Sequence, residues 1–180
     1  MNTKLLTATE FLAQHEDDGH ELVRGKLRKH PMMFLRHGMV CATIGAKICH
    51  HADTNRLGQT MSNNSFMQTE FNPDTIRGPD ICFFSYDRLP PGPIPEGLLS
   101  VNPDLVVEVL SLEDVWTVMF AKVEEYLRAG VRVVLVLDPE TLTASVYRSP
   151  GLHQTLQASE TLTIPEILPG FSVPVGKLFE

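Results

Sequence analysis

Cysteine is scarce in this chain: three residues in 180, at positions 41, 49 and 82. An odd number without framework spacing excludes a disulfide scaffold and suits a reducing compartment, so a cytoplasmic protein is expected. Long apolar runs are missing as well. No stretch approaches the roughly 18 residues a membrane helix needs, so no membrane association is expected. The opening residues Met1-Asn2-Thr3-Lys4-Leu5-Leu6 have neither a long apolar segment nor a small-residue cleavage pattern, and no signal peptide is expected. Neither G-x-x-x-x-G-K-[ST] nor G-x-G-x-x-G occurs, which leaves nucleotide-cofactor chemistry without support. Ser65 and Ser111 lack the strand–turn–helix setting of an activated serine. Aromatic residues make up only 7% and form no evident stacking platform for bases. Basic charge is outweighed too, with 15 Lys and Arg against 22 Asp and Glu. The net charge of −7 argues, at face value, against a polyanionic partner.

What is present is unevenly placed. Between His20 and Arg56 stand seven basic residues (24, 26, 28, 29, 36, 47 and 56) and two acids, Glu21 and Asp53, so this stretch carries +5 and the remainder −12. Screening limits the reach of distant acids to about 10 Å, so a local basic face could hold phosphates; an ordinary solvated surface is the other reading. The 43% apolar content is that of a globular protein. At this length one domain over residues 1–180 is expected, burying roughly 70% of its unfolded surface.

Local patterns indicate an α/β protein. Thr7 with Glu10 three positions on reads as the capped start of a short helix. Residues 20–29 read as a hairpin turning at Arg24-Gly25. Val40, Ile44 and Ile48 recur every four positions within an expected helix over 37–52. Residues 55–71 suggest a turn and one or two exposed strands, and Pro79-Asp80-Ile81-Cys82-Phe83-Phe84 a short strand. Four prolines between 89 and 102 mark a loop. Residues 105–110 read as a buried central strand, 113–128 as a helix stopped by Gly130, and 131–137 as a second apolar strand. That order implies a parallel crossover, with residues 144–147 and segments toward Phe171 adding edge strands to a mixed sheet.

Three residues break these patterns. Glu108 interrupts an otherwise apolar strand, where an unpartnered carboxylate costs several kcal/mol; it is a structural ion pair or a functional group. Lys122 falls on the apolar face of its helix, with Val115, Met119 and Tyr126, while Asp114, Thr117, Glu124, Glu125 and Arg128 occupy the opposite arc. It either snorkels to solvent or meets Glu108. Asp80 follows Pro79 at a strand mouth, as a turn residue or as a ligand. Asp80 and Glu108 together supply the minimum hard-oxygen set for magnesium, with Lys122 available to a nucleophile or a phosphate. Cys41, Cys49, His50 and His51 are zinc-type ligands, but they contain no C-x-x-C pair. Positions 41 and 49 lie two helical turns apart, so zinc is not expected.

Six segments in order, over about 130 residues, resemble the Uma-type restriction endonuclease family of the PD-(D/E)XK nuclease superfamily. They are His20-Glu21-Leu22-Val23-Arg24-Gly25, His37, Pro79-Asp80, Val107-Glu108-Val109-Leu110-Ser111, Lys122 with Tyr126 and Gly130-Val131, and Val136-Leu137-Asp138-Pro139. The resemblance implies a restriction-endonuclease-like core, a mixed central β-sheet flanked by helices. It implies catalytic Asp80, Glu108, Lys122 and Glu21, with Mg²⁺ or Mn²⁺ held by Asp80, Glu108 and Val109, and His37 lining the cleft. Leu110 occupies the superfamily's usual lysine position, and Lys122 from the following helix takes that part. The implied activity is metal-dependent hydrolysis of DNA by a homodimer. The alternatives are an inactive nuclease-fold module that binds nucleic acid or protein, and a purely structural ion-pair cluster. Val118 and Leu112 stand where the family often has an acid and a proline.

Overall fold

A computed structural model describes residues 4–15, 19–29, 33–63, 65–112, 114–149 and 151–180. Its helices are α1 (Ala8–His15), α2 (Leu35–Asn55) and α3 (Trp116–Arg128). Strands β1 (His20–Val23), β2 (Lys26–Lys29), β4 (Met67–Glu70) and β5 (Thr75–Arg77) make a four-stranded sheet in the order β2-β1-β5-β4. Six more, β3 (Gly58–Ser62), β6 (Ile81–Ser85), β7 (Leu105–Val109), β8 (Val133–Asp138), β9 (Thr143–Ser149) and β10 (Leu152–Leu156), form the central sheet in the order β10-β9-β8-β7-β6-β3. Strands β11 (Thr161–Thr163) and β12 (Ser172–Pro174) pair separately. The fold is mixed α/β: β7 and β8 run parallel, joined through α3, and the other pairings of the central sheet are antiparallel. No helix among the described residues is long and apolar enough to cross a membrane.

Local chemistry explains several boundaries. The Thr7 hydroxyl accepts the Glu10 N–H at 3.2 Å and the Glu10 carboxylate accepts the Thr7 N–H at 2.9 Å, the reciprocal pair that starts α1. The β1–β2 hairpin turns through Arg24 (φ 49°) and Gly25 (φ 73°), both left-handed, the geometry that matches strand twist in a two-residue turn. Here glycine is required twice over, because a Cβ at position 25 would come within 2.7 Å of Leu5 Cβ.

The central sheet is covered on both faces, and the two-residue period of β7 decides which side chain goes where. Leu105, Val107 and Val109 pack with Val40, Ile44 and Ile48 of α2. Val106 packs on the opposite side with Met119, Val123 and Tyr126 of α3. By the same alternation, Glu108 faces α3.

Four expectations need correction. The segment 143–149 is not an edge strand: β9 lies between β8 and β10, and β10 is the edge. Strands β3 and β4 are partly buried rather than exposed, since one pairs with β6 and the other packs toward α3. The helix expected from 113 begins at Trp116, and Glu113 lies outside the described residues. Glu125, assigned to the solvent arc, is buried, because the small sheet covers the flank of α3 and widens its hidden face.

Candidate active site

Four elements deliver charged groups to one end of the central sheet. β7 brings Glu108, α3 brings Lys122 and Tyr126, β1 brings Glu21, and the turn before β6 brings Asp80. The β6–β7 register pairs Ile81 with Val107, so Asp80, one residue earlier, stands alongside Glu108. Two apolar strands and an inward helical face thus gather carboxylates that lie far apart in sequence.

Lys122 Nζ sits between two acids, 2.9 Å from Glu108 Oε1 and 3.1 Å from Glu21 Oε1. The Tyr126 hydroxyl donates to Glu108 Oε1 at 2.7 Å. Glu21 also accepts the Gly78 N–H at 3.1 Å and Arg77 Nη1 at 2.9 Å. Arg77 turns its other edge to Glu125, donating from Nε at 2.9 Å and Nη2 at 2.5 Å, and the Thr69 hydroxyl completes that carboxylate's shell. Asp80 Oδ2 accepts the Val109 N–H at 2.8 Å and lies 3.3 Å from His37 Nε2. His37 is buried at the start of α2, against the ordinary expectation for a single helical histidine.

The electrostatics are those of a site short of positive charge. Of the permanent cations among the described residues, Lys122 pairs with Glu108 and Glu21, and Arg77 with Glu21 and Glu125. Burial pushes Glu108 up to about 7; Lys122 and the Tyr126 hydrogen bond pull against that rise, and the charges of Asp80 and Glu21 add to it. Burial disfavours the Lys122 charge, yet Glu108 and Glu21 hold its pKa above the ordinary lysine value. Burial likewise opposes a charged His37, but the hydrogen bond and charge of Asp80, with the Val109 carbonyl, raise it overall. Cys41 is pushed well above the thiol range by burial and by the charges of Asp80 and Glu108.

A cleft of about 540 Å³ opens on this group, lined by Glu21, Asp80, Glu108, Val109 and Lys122, with Arg28 and Lys29 at its wall. The Uma2 family model, described as putative restriction endonuclease, matches residues 8–176. The chain belongs to the Uma2 family. Its fold is also that of a putative nuclease of the DUF820 group from Anabaena variabilis, with a TM-score of 0.85, 22% identity and 97% of each chain covered. No curated protein is significantly similar to it.

The structure of this Uma2 chain brings together the six site residues that the resemblance implies: Asp80, Glu108, Lys122, Glu21, Val109 and His37. It adds Arg77, Glu125, Thr69 and the Gly78 N–H, none of which stood out. Arg77 precedes Gly78-Pro79-Asp80 directly, so nearness in sequence to Asp80 was the one available signal. The donor chemistry fits a hard divalent cation. The contacts given above for Glu108 are made by Oε1 and those for Asp80 by Oδ2, so each carboxylate has a second oxygen outside them, and the acidic excess is what such an ion neutralises.

Proposed function

We propose that this protein is a metal-dependent endonuclease that hydrolyses DNA phosphodiester bonds, with residues 1–180 acting as one unit. The observation that carries the reading is the convergence of Asp80, Glu108 and Lys122 in a cleft edged by basic residues. Asp80 and Glu108 would hold Mg²⁺ or Mn²⁺, with the Val109 carbonyl, which has a lone pair beyond the one turned to His37. When bound, such an ion supplies positive charge at the scissile phosphate and lowers the pKa of water.

The chain's own groups do the positioning. The Val109 N–H and His37 fix Asp80, and the Tyr126 hydroxyl fixes Glu108. Arg77 and the Gly78 N–H fix Glu21, so that Lys122 is held between two carboxylates instead of leaving for solvent. Lys122, beside Glu108, would be the chain's own cation available to an incoming phosphate or water when an ion is held there. Strand β2, Lys26-Leu27-Arg28-Lys29, is exposed along its whole length, and Arg28 and Lys29 reach the cleft. That basic edge supports a nucleic-acid backbone as substrate despite the net negative charge. A homodimer able to cut both strands completes the reading by analogy with the family's superfamily.

Calorimetric titration with Mg²⁺ and Mn²⁺ tests it, on the native chain and on Asp80→Ala and Glu108→Ala, followed by cleavage of duplex DNA. Binding by the native chain alone, with metal-dependent cleavage lost in both variants, is the expected result. No binding at millimolar metal would overturn the reading and leave a nuclease-fold module that binds without cutting.

A further inference from the structure

Beside the acidic centre lies a donor group of different chemistry. His37 and Cys41 stand four residues apart on α2, the spacing that stacks two side chains on one helical face. His37 Nε2 is 3.3 Å from Asp80 Oδ2, and Cys41 Sγ is 3.5 Å from His37 Nδ1 and 3.9 Å from Nε2. One donor atom from each of the three residues lies within 4.8 Å of the others.

These separations can be compared with a coordination sphere. Zinc–nitrogen and zinc–oxygen bonds of about 2.0–2.1 Å meeting near the tetrahedral angle hold their outer atoms about 3.3 Å apart, and a nitrogen–sulfur pair about 3.6 Å apart. With Nε2 as the ligating nitrogen the separations are 3.3 Å to Asp80 and 3.9 Å to Cys41, with Asp80 and Cys41 within 4.8 Å of each other, so a small inward shift of the side chains closes all three on one ion. Imidazole and thiolate beside a single carboxylate suit zinc-class ions, whereas magnesium and calcium call for oxygen alone. His37 is buried and Asp80 and Cys41 are half-buried, and a pocket of about 480 Å³ opens on all three, leaving room for a fourth ligand from solvent. Thr60, whose buried hydroxyl has no hydrogen-bond partner among the described residues, lines the same pocket.

We propose that His37, Cys41 and Asp80 form a second divalent-cation site, selective for zinc-class ions. Binding displaces to solvent the thiol proton and any second proton on the His37 ring, since the ligands are a thiolate and a neutral imidazole. Asp80 is the one residue shared with the magnesium centre of the proposed nuclease, and the softer site requires neither Glu108 nor Lys122. It differs from the Cys41, Cys49, His50 and His51 grouping, because α2 carries position 49 two turns away while the tertiary fold supplies Asp80.

Cobalt(II) is the direct probe, added to the metal-free full-length chain carrying Cys49→Ser to remove the exposed thiol. Cys82 stays buried in the core on the other face of the sheet. The expected result is a near-ultraviolet thiolate-to-cobalt charge-transfer band that zinc abolishes by displacement. Adding Cys41→Ser, an exchange of sulfur for oxygen, should remove the band and weaken zinc binding by at least about 100-fold, since changes merely behind a ligand already cost about 10–100-fold. Should that variant lack the native circular-dichroism spectrum, His37→Gln gives the same reading from the other ligand. Glu108→Ala should keep the cobalt band while losing magnesium, so this site and the nuclease centre fail separately. A native-like protein without the band, or a band that survives Cys41→Ser, overturns the proposal.

Discussion

Toward α2 the central sheet presents Leu105, Val107 and Val109; toward α3 the same strand presents Val106 and Glu108. The first face meets Val40, Ile44 and Ile48 and needs only shape and hydrophobicity to close. The second meets Lys122 and Tyr126 and closes only because each buried charge finds its opposite. One strand thus carries a face closed over these positions by apolar packing and a face whose closure depends on paired charges. Burial that is favourable for valine is costly for glutamate, and here Lys122 and Tyr126 offset that cost.

The sharpest way to break the comparison is Lys122→Met, which leaves Glu108 and Glu21 buried without their shared cation. A loss of about 3–5 kcal/mol in urea unfolding at pH 8 is expected. At pH 5 the loss should be smaller, because Glu108 takes up a proton. The sign follows from the native state, where Glu108 sits at about 7 against its usual 4.5. Folding therefore favours its protonated form, and that contribution is complete below about 4.5 and lost as pH rises through 7. Equal losses at both pH values would contradict a buried-charge account of this face.

Ile44→Ala probes the other face. A cost of about 2–5 kcal/mol is expected from reduced burial and the cavity left behind, equal at pH 5 and pH 8. A clear pH dependence there would mean that the two faces are coupled. The smallest effect on stability is expected from Arg28→Ala with Lys29→Ala on exposed β2, within about 0.5 kcal/mol. Those changes should instead lower the slope of log affinity for duplex DNA against log salt, by about 0.9 for each phosphate no longer neutralised. An unchanged slope would remove β2 from the proposed DNA-binding surface.

Much of this is legible in the order of the residues. The run 105–110 has to be buried because β-branched residues fill it, and a carboxylate inside it has to be paired. Lys122 points inward because its helical neighbours Met119 and Tyr126 are apolar. The Arg24-Gly25 turn and the Thr7–Glu10 cap are legible because each is decided by a handful of adjacent residues. Glu125 is misplaced by such reasoning for the opposite cause. A helical wheel knows one helix, and the flank of α3 is covered by a sheet whose strands come from far along the chain. Arg77 escapes notice on the same ground: its partners Glu21 and Glu125 lie 56 and 48 residues away.

The sequence alone determined the alternation of β7, the inward lysine and the family whose motifs run through the chain. Periodicity and residue chemistry act over a few residues and leave their mark in order. Only the tertiary structure decided that Arg77 would join Glu21 to Glu125, that Asp80 would stand beside Glu108, and that Asp80 would reach the His37–Cys41 face of α2. Those neighbours are set by strand register and by the packing of one sheet against a helix, which are properties of the whole chain at once.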